Sequence, residues 1–287
     1  MSQGPSRSEE DDIPEMELRG GVRGKYYERY TGSLQRTKGV PPGWGDDALS
    51  AFLQTAHENS FFVFAHHRNV YDLLNFVNDT FDRVLGVVSH TNHPWPAFFV
   101  ARSHSAYLAA TRLAVSGEVT ESFASLRLAI EHAWYALHIS CDVEQTKRFE
   151  IWLNRDDSDQ SKWDAIKIFK SGDLKDTHRR KDPETARILE LLYERAISFG
   201  AHPNPNGMLT SMTRNEDERT LTHSILYLNA QILPLMFALK SNVEVAVSIL
   251  RVFGLIFTKQ YVAAGLLPRL EQIVENLNDA FKPYLPV

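Results

Sequence analysis

The sequence predicts an all-α protein, a multi-helix globular bundle that follows a flexible N-terminal tail. From Asp46 onward, apolar residues recur at three- and four-residue spacing, the period of a helix that buries one face. No segment alternates apolar and polar residues over more than a few positions, as a half-buried strand would. Hydrophobic residues make up 43% of the 287 residues and charged residues 23%, as in a globular protein.

The first 45 residues differ in composition from the rest, which divides the chain into a tail, residues 1–45, and a helical domain, residues 46–287. Residues 1–14 are rich in Ser, Glu, Asp and Pro and contain too little apolar surface to fold. A glycine-rich, basic and aromatic segment follows at residues 19–30. The helix-breaking sequence Pro41-Pro42-Gly43-Trp44-Gly45 ends the tail.

Four helices are predicted in the N-terminal half of the domain. Asp46 or Asp47 can cap a first helix, which continues through Ala56. The third helix covers residues 97–115 and ends at Gly117, and the fourth covers residues 120–140 and is apolar around most of its surface. The second helix has one apolar face, formed by Val70, Leu73, Leu74, Val77, Phe81 and Leu85.

A further helix is predicted to start at Asp182-Pro183-Glu184, which supplies a cap, a first-turn proline and an acidic first turn. Gly200 is expected to end this helix. Residues 201–207, with their prolines and asparagines, are expected to form a rigid loop.

Two strongly apolar segments, residues 225–239 and 243–257, predict two buried helices. Each is shorter than a membrane span of about 20 residues. Pro234 is expected to kink the first of them, and Ser241 stands where a capping box would start the second. Residues 267–281 predict a last amphipathic helix.

The composition argues against several classes of protein. The net charge of −5 provides no overall field that would attract nucleic acid or anionic lipid. The single cysteine excludes an intramolecular disulfide and is consistent with a reducing compartment. The first 20 residues lack the apolar region of a signal peptide. These observations predict a soluble, cytoplasmic protein that does not act at a membrane.

Known cofactor motifs are also missing from the sequence. It contains no phosphate-binding loop, no dinucleotide fingerprint and no His-Glu-x-x-His sequence. His90 and His93 could share a metal ion, but neighbouring prolines indicate a turn and no acidic or cysteine ligand lies nearby. We therefore expect no metal and no cofactor.

A polar stripe on the predicted helix at residues 120–140 is the main candidate for a functional site. At about 100° per residue, its four members fall on one narrow face of an otherwise apolar helix. They are Arg127, Glu131, Trp134 and His138.

Three interpretations of the stripe stay open. Arg127 and Glu131, four residues apart, can form an ion pair within the core. Alternatively, the stripe lines a pocket in which Arg127 holds an anionic group, Glu131 orients it or acts as a base, and His138 titrates. The third interpretation is an interface with a partner, which could be a second copy in a homodimer.

Other polar residues could complete such a pocket. His104 lies on the apolar face of the preceding helix, and Arg112 follows on the same side. Both are candidate ligand-binding residues together with Trp134. His202 lies after a helix C-terminus, where the helix dipole favours a positive charge, and is a further catalytic candidate. Core packing and exposure to solvent are the alternatives for these two histidines.

Three segments together resemble bacterial all-helical families of unknown function with a HEPN-like shape. These segments are Arg127-Leu-Ala-Ile-Glu-His-Ala-Trp-Tyr135, Trp152-Leu-Asn-Arg-Asp-Asp157, and Tyr193 with Gly200-Ala-His-Pro-Asn204. The resemblance covers roughly residues 97–206. It implies a helical domain and, for some HEPN proteins, metal-independent cleavage of RNA in toxin–antitoxin or phage-defence systems by an Arg and a nearby His.

The Arg–His spacing of those ribonucleases occurs here at three places, close to the number that chance gives. The pairs are Arg83 with His90, Arg127 with His132, and Arg195 with His202. On an ideal helix His132 lies roughly 140° from Arg127, so His138 is the better partner on the stripe.

The basic segment of the tail is similar to a short stretch found in small bacterial antitoxins. Its cationic and aromatic side chains interleave, which would suit an acidic protein partner or RNA. A solvated tail without a ligand is the alternative. The residues concerned are Arg23, Lys25, Tyr26, Tyr27, Arg29 and Tyr30. The sequence thus leaves two functional classes, a helical protein that binds a partner or ligand, and a HEPN-like ribonuclease.

Overall fold

The computed structural model describes residues 39–88, 95–142, 147–217 and 220–284. The side chains of residue 201 and of residues 214–217 and 220–223 are not part of this description. The predicted tail therefore lies outside the described residues except for residues 39–45, which are exposed and contain turns. His90 and His93 lie outside them as well.

The described chain folds mainly into α-helices, and the all-α prediction is confirmed. Numbered in chain order, the helices are α1 (Ala48–His66), α2 (Arg68–Val88), α3 (Trp95–Ser116), α4 (Val119–Ser140), α5 (Lys147–Leu153), α6 (Asp159–Ile168), α7 (Ser171–Lys181), α8 (Pro183–Ala196), α9 (Pro205–Thr210), α10 (Ile232–Ile256), α11 (Thr258–Ala263) and α12 (Leu266–Phe281).

Local sequence signals account for several helix ends. The carboxylate of Asp47 accepts hydrogen bonds from the backbone N–H groups of Leu49 and Ser50, each at 2.9 Å, and so caps α1. Asp182 accepts a hydrogen bond from the N–H of Thr185 at 3.2 Å and caps α8, whose first residue is a proline. Both predicted starts are confirmed.

Helix α4 lies at the centre of the bundle and packs against α3, α7, α8 and α10. More than half of its residues are buried, and its large apolar side chains Phe123, Leu126, Ile130 and Leu137 belong to the main core. Burial of this kind, rather than helix propensity, stabilises an internal helix. The prediction that this helix is buried around most of its surface agrees with the structure.

The two predicted apolar helices form one continuous helix, α10. Pro234 lies in its first turn, where a missing N–H is tolerated, so the predicted kink does not arise. Ser241 is buried in the middle of the helix and does not cap a new one. The 25 residues are long and apolar enough to cross a membrane, although two thirds of the most apolar window is buried inside the fold.

A two-stranded antiparallel hairpin joins α9 to α10, where the sequence analysis predicted no strand. It consists of β1 (Met212–Asp217) and β2 (Thr220–Ile225), with Met212 opposite Ile225. The strands are short and rich in polar residues, so the apolar periodicity that indicates a half-buried strand is weak. Threonines, which favour extended backbone, are present in both strands.

Candidate functional site

Helix α8 passes into a turn of π-helix, Ile197–Ala201, so the helical run ends one residue after the predicted end at Gly200. A Cβ atom at Gly200 would lie 1.8 Å from the carbonyl oxygen of Thr120, so only glycine allows this segment to pack on the start of α4. Asn204 donates a hydrogen bond to the carbonyl of Ile197 at 2.9 Å. This packing places His202 beside α4.

The second half of the predicted loop also differs from the expectation. Pro205 occupies the first turn of a short helix, α9, rather than a loop. A Cβ atom at Gly207 would lie 2.8 Å from the carbonyl oxygen of Phe199, so α9 packs tightly on the π-helical turn. The segment that carries His202 is therefore held at both ends.

Arg127 and Glu131, which we call the outer half of the polar stripe, form a connected group with Tyr193 of α8. The Nε of Arg127 donates to Oε1 of Glu131 at 2.8 Å, and the Tyr193 hydroxyl donates to the same oxygen at 3.0 Å. The Arg127 and Glu131 side chains are 28% and 32% exposed, so the pair lies at the edge of the core. The ion pair that the spacing allowed is thus formed, in a position that solvent can reach.

Glu131 and partial burial together shape the protonation of its neighbours. Partial burial lowers the pKa of Arg127, but the hydrogen bond and charge of Glu131 outweigh it and raise the pKa. Burial raises the pKa of the Tyr193 hydroxyl, and the negative charge of Glu131 adds to the effect. Arg127 is therefore a permanent cation, and Tyr193 is a neutral donor at physiological pH.

His202 completes the group from a different part of the chain. Nη1 of Arg127 lies 3.0 Å from Nε2 of His202. Because a guanidinium can only donate, Nε2 must accept, and the proton of the neutral imidazole is then on Nδ1. The structure thus brings together Arg127, Glu131 and His202, three of the candidates from the sequence, and adds Tyr193.

A cavity of about 420 Å³ opens next to this group, and His202 is part of its wall. Apolar contacts come mainly from Met208, Met212 and Ile225, and polar atoms come from Thr120 and Ser211, whose hydroxyls are 2.9 Å apart. A volume of this size is typical of a small-molecule site. The imidazole of His202 thus forms one edge of an apolar cavity, and the Arg127 cation contacts this imidazole.

Trp134 and His138 form the inner half of the polar stripe, and their hydrogen bonds go to a different set of residues. Trp134 and His138 are buried beneath α7. Nε1 of Trp134 donates to Nδ1 of His178 at 3.2 Å, and Nδ1 of His138 lies 2.7 Å from the hydroxyl oxygen of Thr177. Burial lowers the pKa of His138 and of His178 to about 4, so both are neutral.

The candidates on α3 also lie apart from Arg127. His104 is buried and stacks on Phe81, and its Nε2 lies 2.8 Å from the side-chain oxygen of Asn78. Arg112 is exposed on the surface of α3. Neither residue contacts the Arg127 group, so His104 and Arg112 do not complete a pocket there as predicted.

Two of the three Arg–His pairs of the linear spacing lie within the described residues, and neither is brought together. The ring of His132 packs near Phe99, with centroids 6.4 Å apart, rather than against Arg127. Arg195 forms an ion pair with Glu244 and donates to the hydroxyl of Ser241 at 3.2 Å, away from His202. His90, the partner of Arg83, lies outside the described residues.

Tyr193 is the member of the group whose role the sequence analysis missed. It belongs to the buried face of α8 with Leu189, Leu192 and Ala196, which indicates burial but not which polar group its hydroxyl reaches. Its ring also packs against Trp134, with centroids 4.9 Å apart, so Tyr193 joins the two halves of the stripe.

Within the described part of the chain, no three His, Cys, Asp or Glu side chains are placed to hold a metal ion together. No protein-family model matches the sequence, and searches of curated proteins and of solved structures returned no match. The functional interpretation therefore depends on the geometry of the site.

Proposed function

We propose that this protein binds a small ligand with an anionic group and an apolar body at the Arg127–His202 site. The observation that carries the proposal is the 3.0 Å contact between Arg127 and His202 at the edge of the 420 Å³ cavity. A carboxylate or phosphate can accept hydrogen bonds from a guanidinium, and apolar side chains would surround the rest of the ligand.

Glu131 and Tyr193 support this proposal as positioning residues. Glu131 holds Nε of Arg127, which leaves the terminal nitrogens of the guanidinium to face His202 and a ligand. The hydrogen bond from Tyr193 partly offsets the charge of the carboxylate, so that Glu131 repels an anion less.

Binding can be tested by calorimetry with a series of alkanoates, from butanoate to decanoate, and with inorganic phosphate as a probe without an apolar body. Affinity should rise with chain length until the cavity is filled. Arg127→Gln should weaken binding at least tenfold, because a charge-assisted hydrogen bond is lost. Arg187→Gln, which removes an exposed arginine from α8, is the matched control. Absence of binding by every member of the series would refute the proposal.

A HEPN-like, metal-independent ribonuclease is the second candidate, and one observation favours it. Arg127 and His202 are in contact, although they lie 75 residues apart in the sequence. The short Arg–His spacing of the linear motif does not cover such a pair. The ribose 2′-hydroxyl would attack the adjacent phosphorus as the bond to the 5′-oxygen breaks, which yields a 2′,3′-cyclic phosphate. Once Nη1 of Arg127 turns from His202 to the phosphate, Nε2 of His202 would be free to accept the 2′-hydroxyl proton. Solvent would protonate the 5′-oxygen, and Arg127 would balance charge on the phosphorane.

RNA cleavage in the presence of EDTA tests this candidate. His202→Gln should abolish cleavage, whereas His132→Ala should not, because His132 lies away from Arg127. Loss of cleavage in the His132 variant alone would favour the linear motif instead. The formation of a homodimer stays a prediction, which light scattering would test. The binding of RNA or protein by the basic tail also stays a prediction, which deletion of residues 1–38 would test.

A further inference from the structure

A second cavity, of about 330 Å³, lies between α4, α6 and the segment after α5, away from the Arg127 group. Three of its lining residues are cationic and three are aromatic. The cations are Arg155, Lys162 and Lys170, and the aromatic residues are Tyr135, Trp152 and Phe169. We call this set the cationic-aromatic cleft.

Helix periodicity explains why these residues share one cavity. On α6 and the residue after it, Lys162, Ala165, Ile166 and Phe169 recur at three- and four-residue spacing and form one face. Lys170 is the N-cap residue of α7, and no side chain caps the first turn of that helix. Ser171 at this turn also lines the cleft, so free backbone N–H groups add to the positive potential.

The three aromatic residues of the cleft, which we call its aromatic floor, are linked by ring contacts through Phe99. The rings of Tyr135 and Phe169 stack with centroids 4.8 Å apart and an interplanar angle of 12°. Trp152 packs beside them on Phe99, at a centroid distance of 5.1 Å, and stays half-buried. Such a floor offers a planar ligand an aromatic surface on which to stack.

The charge of the cleft is not balanced from within. None of the residues that line it is acidic. Arg155 forms an ion pair with the carboxylate of the adjacent Asp156 at 3.5 Å, and this carboxylate is mostly exposed. The positive charge of Arg155 also counteracts the effect of burial on the pKa of Tyr135, which places the guanidinium near the aromatic floor.

We propose that the cationic-aromatic cleft binds a nucleoside phosphate, with the base against the aromatic floor and the phosphate among Arg155, Lys162 and Lys170. The combination of a stacking surface with a cluster of unbalanced cations is the chemistry that recognises nucleotides without sequence preference. The unit could be a free nucleotide or one nucleotide of a single-stranded RNA. This proposal is independent of the Arg127–His202 site.

Titration of the full-length protein with the four nucleoside 5′-monophosphates, followed by calorimetry and tryptophan fluorescence, tests the proposal. Binding is expected for the wild type, and ribose 5-phosphate should bind at least tenfold more weakly because it lacks a base to stack. Trp152→Leu and the double variant Lys162→Gln/Lys170→Gln should each weaken binding about tenfold or more.

The double variant Lys167→Gln/Lys181→Gln is the matched control, because it removes two charges from α6 and α7 outside the cleft. The two cleft lysines are exposed, so their variants should fold even if Trp152→Leu does not. Equal affinity in the wild type and the lysine double variant would overturn the proposal, as would no detectable binding at millimolar nucleotide. Loss of binding in Arg127→Gln but not in the cleft variants would assign the nucleotide to the other site and also overturn it.

A second arm distinguishes the two sources of the nucleotide. A hexa-adenylate should bind much more tightly than AMP and lose affinity steeply with salt if the cleft accepts a segment of RNA. Equal affinity for the two ligands identifies a free nucleotide. Either result supports the nucleoside phosphate itself, provided that the cleft variants lower the affinity.

Discussion

The two halves of the polar stripe on α4 lie about one turn apart yet have different surroundings. Arg127 and Glu131 stand at the edge of the core and form hydrogen bonds with His202 and Tyr193, and His202 lines a cavity. Trp134 and His138 are buried under α7. The outer half is partly exposed to solvent, whereas the inner half fastens α7 and α8 to the central helix.

This difference teaches that a shared helical face does not define a shared site. The stripe is continuous on α4, but α7 packs over its second half and leaves the first half partly exposed. Residues that one helix aligns are then separated into a partly exposed edge and a buried core.

Replacing Trp134 should test the structural role of the inner half most severely. We expect Trp134→Ala to lower the free energy of unfolding by about 4 kcal/mol, because it leaves a large cavity and removes the hydrogen-bond donor to Nδ1 of His178. Trp163→Ala, on a tryptophan that is 61% exposed, should change it by less than about 0.5 kcal/mol. Urea denaturation measures both. Similar losses for the two variants would contradict the structural role.

Gly200→Ala should disrupt the support of the outer half. Its Cβ would overlap the carbonyl of Thr120, so the π-helical turn must move away from α4, at a cost of about 3 kcal/mol. His202 would then leave Arg127, and ligand affinity should fall together with stability. Gly172→Ala is the control, since nothing lies within 4 Å of its Cβ position. An unchanged melting temperature for Gly200→Ala would show that the close approach is not needed.

The inner half should also make the protein sensitive to acid. The pKa of His138 and of His178 is about 4 in the folded state, below the usual value of 6.5. The unfolded chain therefore binds protons first, and stability should be full above pH 6.5 and fall between about pH 6.5 and 4. We expect each histidine to contribute a loss on the order of 2 kcal/mol over this range.

Denaturation curves at pH 7, 6, 5 and 4.5 measure this loss. His178→Gln keeps an acceptor for Trp134 and a donor for Thr185 but cannot be protonated in this range, so its stability should depend less on pH. A variant that keeps the full pH dependence of the wild type would contradict the assignment to His178.

The smallest effect on stability is expected in the outer half. Arg127→Gln breaks a partly exposed pair on one helix, which is worth less than about 1 kcal/mol. The same variant should weaken anion binding at least tenfold, so stability and binding separate at this residue. A loss comparable to that of Trp134→Ala would show instead that the Arg127–Glu131 pair is a structural element of the core.

Local features of the sequence were predictable because they act within a few residues. The caps at Asp47 and Asp182 and the apolar face of α2 follow from hydrogen bonding and periodicity inside one helix. The same local reasoning failed at Ser241, where capping-box spacing coincides with the interior of α10. Packing around that position buries the segment and stabilises a continuous helix.

The candidate site was predictable only in part, for the same reason. The i, i+4 pair of Arg127 and Glu131 could be derived from one helix, and His202 could be named but not placed. Gly200 was predicted only as a helix end. Its close approach to Thr120 could not be predicted, because it joins segments that are 80 residues apart in the sequence.

By itself, the sequence determined that the chain is helical, where most helices begin, and which polar residues share a face of α4. Only the tertiary structure decided that α7 and α8 bury Trp134 and His138 and that Arg127 meets His202 beside a cavity. Periodicity and capping depend on neighbours within a turn or two, whereas these contacts depend on how separate helices pack and exclude water.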